Sequence, residues 1–230
     1  MRAHWVSSLA LCDDYILKDE SLHHLVNVVR MKVGENLLLL NGQGLAVETL
    51  VEGITKREIK LKKISHLQHQ RPFQFDLALG MPKREALELS LKEATELGFR
   101  RIYLIKSDYS QMKYPERERT ESVLVSALEQ SNAPFLPEVV TLPWKDIPWG
   151  QYAQAWLLDS QTKTGREDKA KTQGESHLLI VGPEGGFSPL ELTYLHSCQE
   201  VRVIHLPTPI LRTPTAIAAG AGMMIENLLK

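Results

Sequence analysis

Cysteine is almost missing from this chain, and the two present, Cys12 and Cys198, lie far apart in sequence with no metal-ligand spacing. That excludes a disulfide-stapled secreted scaffold and leaves the thiols as space fillers in a reducing setting. Long apolar runs are missing too. No stretch approaches the length of a membrane span, and the first residues carry no signal-peptide core, so a cytoplasmic protein with no membrane contact is expected. Excess charge of one sign is the third deficit. Lys and Arg number 27 against 28 Asp and Glu, so general attraction to nucleic acid is not expected and any such contact must be local. Five of the eight histidines, His4, His23, His24, His66 and His69, fall early in the chain. None has the cysteine or carboxylate company of a zinc site, so neutral surface or helix-face roles and no metal are expected.

What is present is a patterned chain long enough to bury a sizeable core, as one large domain or two small ones. Residues 1–70 read as a small β-rich domain. After Asp19-Glu20, Leu22, Leu25, Val26 and Val29 recur on one helical face, with Arg30 near the end where the macrodipole favours a cation. Strand-like runs follow at 36–41, 45–51 and 58–64, and Asn41-Gly42-Gln43-Gly44 signals a hairpin between the first two. A polar stretch ending at Pro72 marks the linker.

Residues 71–230 alternate strands and helices, as a parallel α/β sheet does. Phe73, Phe75, Leu77 and Leu79 open it as a strand, and Gly80-Met81-Pro82 forms the loop above its end. A helix from about Lys83 to Leu97 turns Leu87, Ser90, Leu91, Ala94 and Leu97 to the core and stops at Gly98. Arg101 to Lys106 is the next strand, Ser107 to Tyr114 its loop, and Glu116 to Gln130 a helix carrying Val123, Leu124, Ala127 and Leu128. Pro143-Trp144 and Pro148-Trp149 bracket a short surface helix, and Ala153 to Leu158 is a strand. Thr162 to Ser176 has no periodicity and reads as a mobile insertion or lid. The last helix, Ala216 to Leu229, carries small residues on one face, Ala216, Ala219 and Gly220, beside Met223.

Two stretches organise this domain. His177 to Val181 is a short buried strand that Gly182 stops. Gly182, Gly185 and Gly186 then allow positive φ or the close approach of a ligand. Ser188, Pro189 and Glu191 form a capping box with proline at the first helical position. No G-x-G-x-x-G fingerprint is present, and Glu184 sits where phosphates would lie, so a neutral or cationic nucleoside cofactor fits better than a phosphate group. An ordinary tight turn remains the bland alternative. The second stretch repeats the design: Val201 to Leu206 as strand, Pro207 and Pro209 stiffening the loop, and Thr213 with Pro214 starting the last helix by the same capping logic.

Gly182-Pro183-Glu184-Gly185-Gly186-Phe187-Ser188 with Ile210-Leu211-Arg212-Thr213, and upstream Lys92-Glu93-Ala94-Thr95-Glu96-Leu97-Gly98 with Glu129-Gln130-Ser131, resembles the RsmE family of the SPOUT superfamily. Members are 16S ribosomal RNA uridine N3-methyltransferases. Four segments agree in order and spacing. The resemblance implies a PUA-like β-barrel domain at 1–70 that grips RNA. It also implies a SPOUT methyltransferase domain at 71–230 with a parallel sheet and a C-terminal trefoil knot, a homodimer, S-adenosylmethionine as cofactor, and methylation at uridine 1498 in ribosome numbering.

For the cofactor the resemblance implies Leu158, Asp159, Val181, Gly182, Glu184, Gly185, Gly186, Leu206, Ile210, Leu211, Thr213 and Ala216. Arg212 and Glu184 are the candidate catalytic residues. A guanidinium near O2 or O4 would stabilise the uracil anion as an oxyanion site does, and a salt bridge from Arg212 to Glu184 or Asp159 that only fastens two loops is the alternative. RNA contacts are expected from Arg2, Arg30, Lys32, Lys83, Arg84, Lys92 and Gln111, with His23, His24, Lys60, Lys62, Lys63, Ser107 and Lys113 as further candidates. Such groups position RNA without reading sequence. Lys60 to Lys63 read equally as a solvated strand edge, and Lys92 as a helix-surface ion pair with Glu88 or Glu96.

The chain departs from the family pattern twice. Asn132-Ala133-Pro134-Phe135 stand where one or two arginines are usual, and Thr213-Pro214-Thr215 replaces Thr-Glu-Thr. A knotted methyltransferase with another RNA target, or a non-catalytic RNA-binding or ribosome-assembly protein, therefore remain competing readings.

Overall fold

The computed structural model describes residues 1–110, 113–160 and 176–229. The chain forms two compact units, 1–70 with 128–136, and 71–127 with 137–230. Among the described residues no helix is long and apolar enough to cross a membrane.

The first unit is a five-stranded mixed sheet in the order β1-β3-β4-β5-β2. Its strands are β1 (Arg2–Trp5), β2 (Asp14–Leu17), β3 (Asn36–Leu40), β4 (Leu45–Ile54) and β5 (Ile59–Gln68). Period-two alternation turns Leu37, Leu39, Val47, Val51, Ile59 and Leu61 to one face, and Leu25 covers it from the helical segment, each at most 1% exposed. That segment is one turn of α-helix, α1 (Asp19–His23), continuing as a π turn over His24–Val28. Thr49 takes an inward position and keeps its hydroxyl satisfied by donating to the Leu37 carbonyl at 2.8 Å.

The edge strands β1 and β2 do not stand out in the sequence, because four residues with a single fully buried side chain each give too little alternation. The buried one in β1 is His4, which corrects its expected surface or helix-face role. Its Nδ1 lies 3.0 Å from Glu129 Oε1 and its Nε2 2.8 Å from Ser21 Oγ, while the Trp5 N–H donates to the same Glu129 oxygen at 2.9 Å. Burial pushes the Glu129 carboxyl up, but these contacts outweigh it and hold the group below the ordinary carboxylate value.

The segment that replaces the usual arginines is seated in this unit. Gly44 N–H donates to the Pro134 carbonyl and Leu136 N–H to Gly42, each at 2.9 Å. Gly42 and Gly44 have φ of 72° and 99°, and a Cβ on Gly44 would come within 2.9 Å of the Phe135 ring. The Asn41–Gly44 turn is therefore covered by 134–136.

The second unit is a six-stranded, all-parallel sheet in the order β11-β9-β10-β6-β7-β8. Its elements are β6 (Gln74–Gly80), α2 (Arg84–Glu96), β7 (Arg101–Ile105), α3 (Arg117–Ser131), β8 (Glu138–Thr141), β9 (Gln154–Leu158), β10 (Ser176–Val181), α4 (Pro189–Ser197), β11 (Val201–Ile204) and α5 (Thr213–Leu228). The last turn of α3 belongs to the first unit. Continuous apolar runs in β6 and β10 match strands buried on both faces, and Leu77, Ala78, Leu79, Leu178, Leu179 and Ile180 are all fully buried. The expected surface helix at Pro143–Trp149 is two 3-10 turns, Trp144–Asp146 and Trp149–Gln151. Most of the expected insertion, 162–175, lies outside the described residues.

Small residues on α5 serve close packing within the unit. A Cβ on Gly220 would lie 2.8 Å from Leu179 Cδ1 and 2.9 Å from Leu158 Cδ1, so this glycine lets the helix lie against β9 and β10. At the amino end of the sheet the fully buried Asp76 accepts a bidentate pair from Arg100 at 2.9 and 2.8 Å and a hydrogen bond from the Tyr152 hydroxyl at 2.7 Å. That ion pair is a fastening at the end opposite the loops described next.

Candidate active site

At the carboxyl ends of the central strands lies a cavity of about 250 Å³, where ligands of parallel α/β sheets bind. Leu158 and Asp159 come from the end of β9, and Val181, Gly182, Glu184, Gly185 and Gly186 from β10 and its turn. Leu206, Ile210 and Leu211 come from the loop after β11, and Thr213 and Ala216 from the start of α5. Every position expected to hold the cofactor thus lines one cavity. Ser160, Pro183, Phe187, Leu192, Ile204, Thr208 and Pro209 complete the wall.

The turn is fixed from three sides. Gly186, at φ 71°, donates its N–H to the Pro183 carbonyl at 2.9 Å, closing the turn on itself. Below it, Pro183 rests on Gly80, where a Cβ would lie 2.7 Å from Pro183 Cδ and 3.2 Å from Pro183 N. Beside it, Gly185 leaves room for Tyr109, whose Cβ would be 3.1 Å from an added Cβ. The contribution of Gly80 cannot be seen in the sequence, since its partner lies about a hundred residues away.

After the turn, Ser188 caps α4 in the expected capping box with Glu191. Glu191 does more than cap. Only 7% exposed, its Oε1 accepts from Ser107 Oγ at 2.6 Å, Trp144 Nε1 at 2.9 Å and Asp108 N at 3.2 Å, and its Oε2 from Ser188 N at 2.9 Å. Ser188 Oγ in turn donates to Asp108. One buried carboxylate therefore ties the loop after β7 to the turn after β10. Ser107, expected to touch RNA, is 2% exposed and lies inside this node.

Thr213 departs from its expected capping role. Arg212 holds the N-cap position in extended backbone with no side-chain cap, and Thr213 is the first helical residue. Its hydroxyl is free of capping duty and donates instead to the Gly182 carbonyl at 3.1 Å, linking the two loops. The loop-to-loop link that the alternative reading gave to a salt bridge from Arg212 is thus made by a threonine. Arg212 itself is exposed and forms no ion pair among the described residues, and it stands between two residues of the cavity wall.

The Glu184 carboxylate accepts from the Lys83 N–H with both oxygens, at 3.1 and 3.2 Å. It thereby sits at the amino end of α2, where the helix dipole favours an anion, and staples the glycine turn to that helix.

The expected RNA contacts fall in both units. In the first, Arg2 pairs with Glu35 at 3.2 Å, Arg30 is exposed in left-handed backbone at φ 60°, and Lys32 is exposed. Lys60, Lys62 and Lys63 each pair with a neighbouring acid, and because β5 lies between β4 and β2 the solvated strand edge expected as their alternative is corrected to an interior strand. In the second unit, Lys83 and Lys92 are exposed, and Arg84 pairs with Glu88 at 3.4 Å. Gln111 lies outside the described residues.

Among the described residues no lysine, arginine or histidine lines the cavity, whereas Asp159 and Glu184 do. A phosphate would meet only like charge there, and a cationic nucleoside is matched. These features define a class, an α/β protein with a glycine-turn cavity at the carboxyl edge of a parallel sheet. The chain belongs to the RNA methyltransferase domain family, whose model matches residues 69–225, and the model of the RNA methyltransferase PUA domain matches residues 17–64. Ribosomal RNA small subunit methyltransferase E of Bacillus subtilis is 26% identical over 225 residues, covering 88% of this chain and 86% of that protein. The Rickettsia conorii protein of the same name is 26% identical over 210 residues, covering 87% and 84%. The crystal structure of the Neisseria gonorrhoeae protein of that name, bound to S-adenosyl methionine, superposes with a TM-score of 0.86 at 22% identity over 99% of this chain and 98% of that one. The family relationship read from the glycine turn and the Lys92–Gly98 segment is borne out.

Proposed function

We propose that this protein methylates N3 of a uridine in 16S ribosomal RNA, with S-adenosylmethionine as donor. The observation that carries the reading is the cavity wall, which among the described residues has two carboxylates and no cationic side chain around a glycine turn and suits a sulfonium better than a phosphate. When bound, S-adenosylmethionine supplies an electrophilic methyl on a positively charged sulfur.

The chain's own residues position, polarise and exclude. Leu206, Ile210, Leu211 and Ala216 offer apolar surface to an adenine, and the glycine turn lets the donor approach the backbone closely. In-line transfer then depends on alignment. The uracil N3–H must give its proton to hydroxide or a carboxylate before or as N3 takes the methyl group, and the donor would leave as S-adenosylhomocysteine. Arg212, exposed, without an ion pair among the described residues and between two residues of the cavity wall, stabilises the negative charge that develops on a uracil oxygen. Glu184 holds the turn and adds negative charge near the sulfonium. The acceptor base must be unpaired or turned out to reach this rim.

The same reading includes a homodimer, a cytoplasmic setting and a C-terminal trefoil knot. The knot is supported by membership of the family alone.

A deletion strain tests the function. Nucleoside mass analysis of its 16S RNA is expected to show the loss of one N3-methyluridine, restored by purified protein and labelled donor. An unchanged N3-methyluridine content overturns the reading. Loss of a different methylated nucleotide points to the altered-target alternative, for which Pro214, buried in the first turn of α5 in place of a carboxylate, is the structural reason.

A further inference from the structure

Outside the donor cavity, the second unit has another opening of about 270 Å³ between the first turns of α2 and α3. Leu87, Leu91 and Val123, each at most 4% exposed, form its floor. Its rim carries three cations, Arg84, Lys113 and Arg119, against two acids, Glu88 and Glu116. Glu88 is already engaged: Arg119 donates to its two oxygens at 3.0 and 2.6 Å and Arg84 to one at 3.4 Å. The surplus cation and the amino end of α3 make the opening attractive to an anion.

Tyr114, on the same rim, is 45% exposed and makes no ring contact with the described residues. An exposed aromatic ring among cations is the composition of a single-strand nucleic-acid site, in which a base stacks on the ring and its phosphate meets the cations.

Position ties this opening to the donor cavity. Arg84 follows Lys83, whose N–H holds the Glu184 carboxylate of the glycine turn. The loop after β7 packs Tyr109 against Gly185 and bonds Asp108 to Ser188, and the same loop supplies Lys113 and Tyr114 farther on. The two cavities have no lining residue in common, but the start of α2 and the loop after β7 each hold the glycine turn at one point and supply residues of the second opening at another.

We propose that this second opening seats an unpaired nucleotide of the substrate RNA close to the one being methylated, its base on Tyr114 and its phosphate against Arg119 and Lys113. This deepens the function proposed above and rests on it.

The test uses small ribosomal subunits from the deletion strain as RNA probe, with the full-length protein. Tyr114→Ala is expected to weaken RNA binding about tenfold or more, given the worth of base–aromatic stacking. Tyr114→Phe is expected to stay within about twofold, and the donor Kd to be unchanged in both. Arg119→Gln is expected to reduce the slope of log K against log salt by about 0.7, as one lost phosphate contact on a single strand does. Parental RNA affinity in Tyr114→Ala together with an unchanged salt slope in Arg119→Gln overturns the proposal. Should Tyr114→Ala lose donor binding as well, the Arg119→Gln slope alone decides. A parent protein that neither binds nor methylates the subunits removes the function itself, whereas an active parent with indifferent variants removes only this nucleotide seat.

Discussion

Arg212→Ala is expected to lower kcat by about a hundredfold to a thousandfold, the range for losing one donor to a developing anion. The donor Kd should stay within about threefold, because Leu211 and Thr213 line the cavity and Arg212 does not. The fold should also be kept, since the guanidinium is exposed and forms no ion pair among the described residues: the loop-to-loop tie belongs to Thr213 Oγ and the Gly182 carbonyl. Arg212→Lys should recover only part of the rate, as an ammonium lacks the planar fork that meets a carbonyl oxygen from a fixed direction. Single-turnover methyl transfer to undermethylated subunits, with donor binding measured in parallel by calorimetry, separates the two effects. An unchanged kcat would remove Arg212 from the chemistry.

The second large effect is expected at a residue with no side chain of its own. In Gly80→Ala the new methyl would lie 2.7 Å from Pro183 Cδ and 3.2 Å from the backbone nitrogen of the same residue. The proline ring cannot rotate away, and Gly80 itself is buried at the end of a central strand. The strain must therefore move the turn. Overpacking of this kind costs about 1–3 kcal/mol, so the melting temperature should fall by a few degrees. The donor Kd should rise at least about tenfold, since the displaced turn forms one side of the cavity. Thermal melts and calorimetry on the variant check both. Unaltered donor affinity would show that the turn tolerates displacement and that its seat on Gly80 is incidental.

Much of this site is visible in the residues. The glycine turn, the capping box on Ser188 and Glu191, and the paired loop before α5 announce themselves by local chemistry, where the identities of a few consecutive residues dictate backbone shape. What escapes is whatever depends on a partner distant in sequence. Glu191 reads as a capping residue, yet it gathers donors from Ser107, Asp108 and Trp144. Glu184 reads as a charge facing the cofactor, yet its oxygens reach the Lys83 N–H. Thr213 reads as a cap, but the extended backbone of Arg212 takes that position and moves the helix start by one residue.

The same division holds in the fold. The long strands β4 and β5 and the buried runs of β6 and β10 are legible from alternation or its absence. Three four-residue strands, β1, β2 and β8, are not, since pairing along a sheet edge rather than local pattern makes them strands. His4 shows the cost of reading residues singly. Nothing around it in sequence announces Glu129, the half-buried carboxylate it meets.

The most direct measurement is a crystal soaked with S-adenosylmethionine. Density for the donor is expected between the Gly182–Gly186 turn and the Leu206–Thr213 loop, with the sulfur on the side where Arg212 opens to solvent. Donor bound at any other place, with these two loops left bare, would contradict the site and the chemistry built on it.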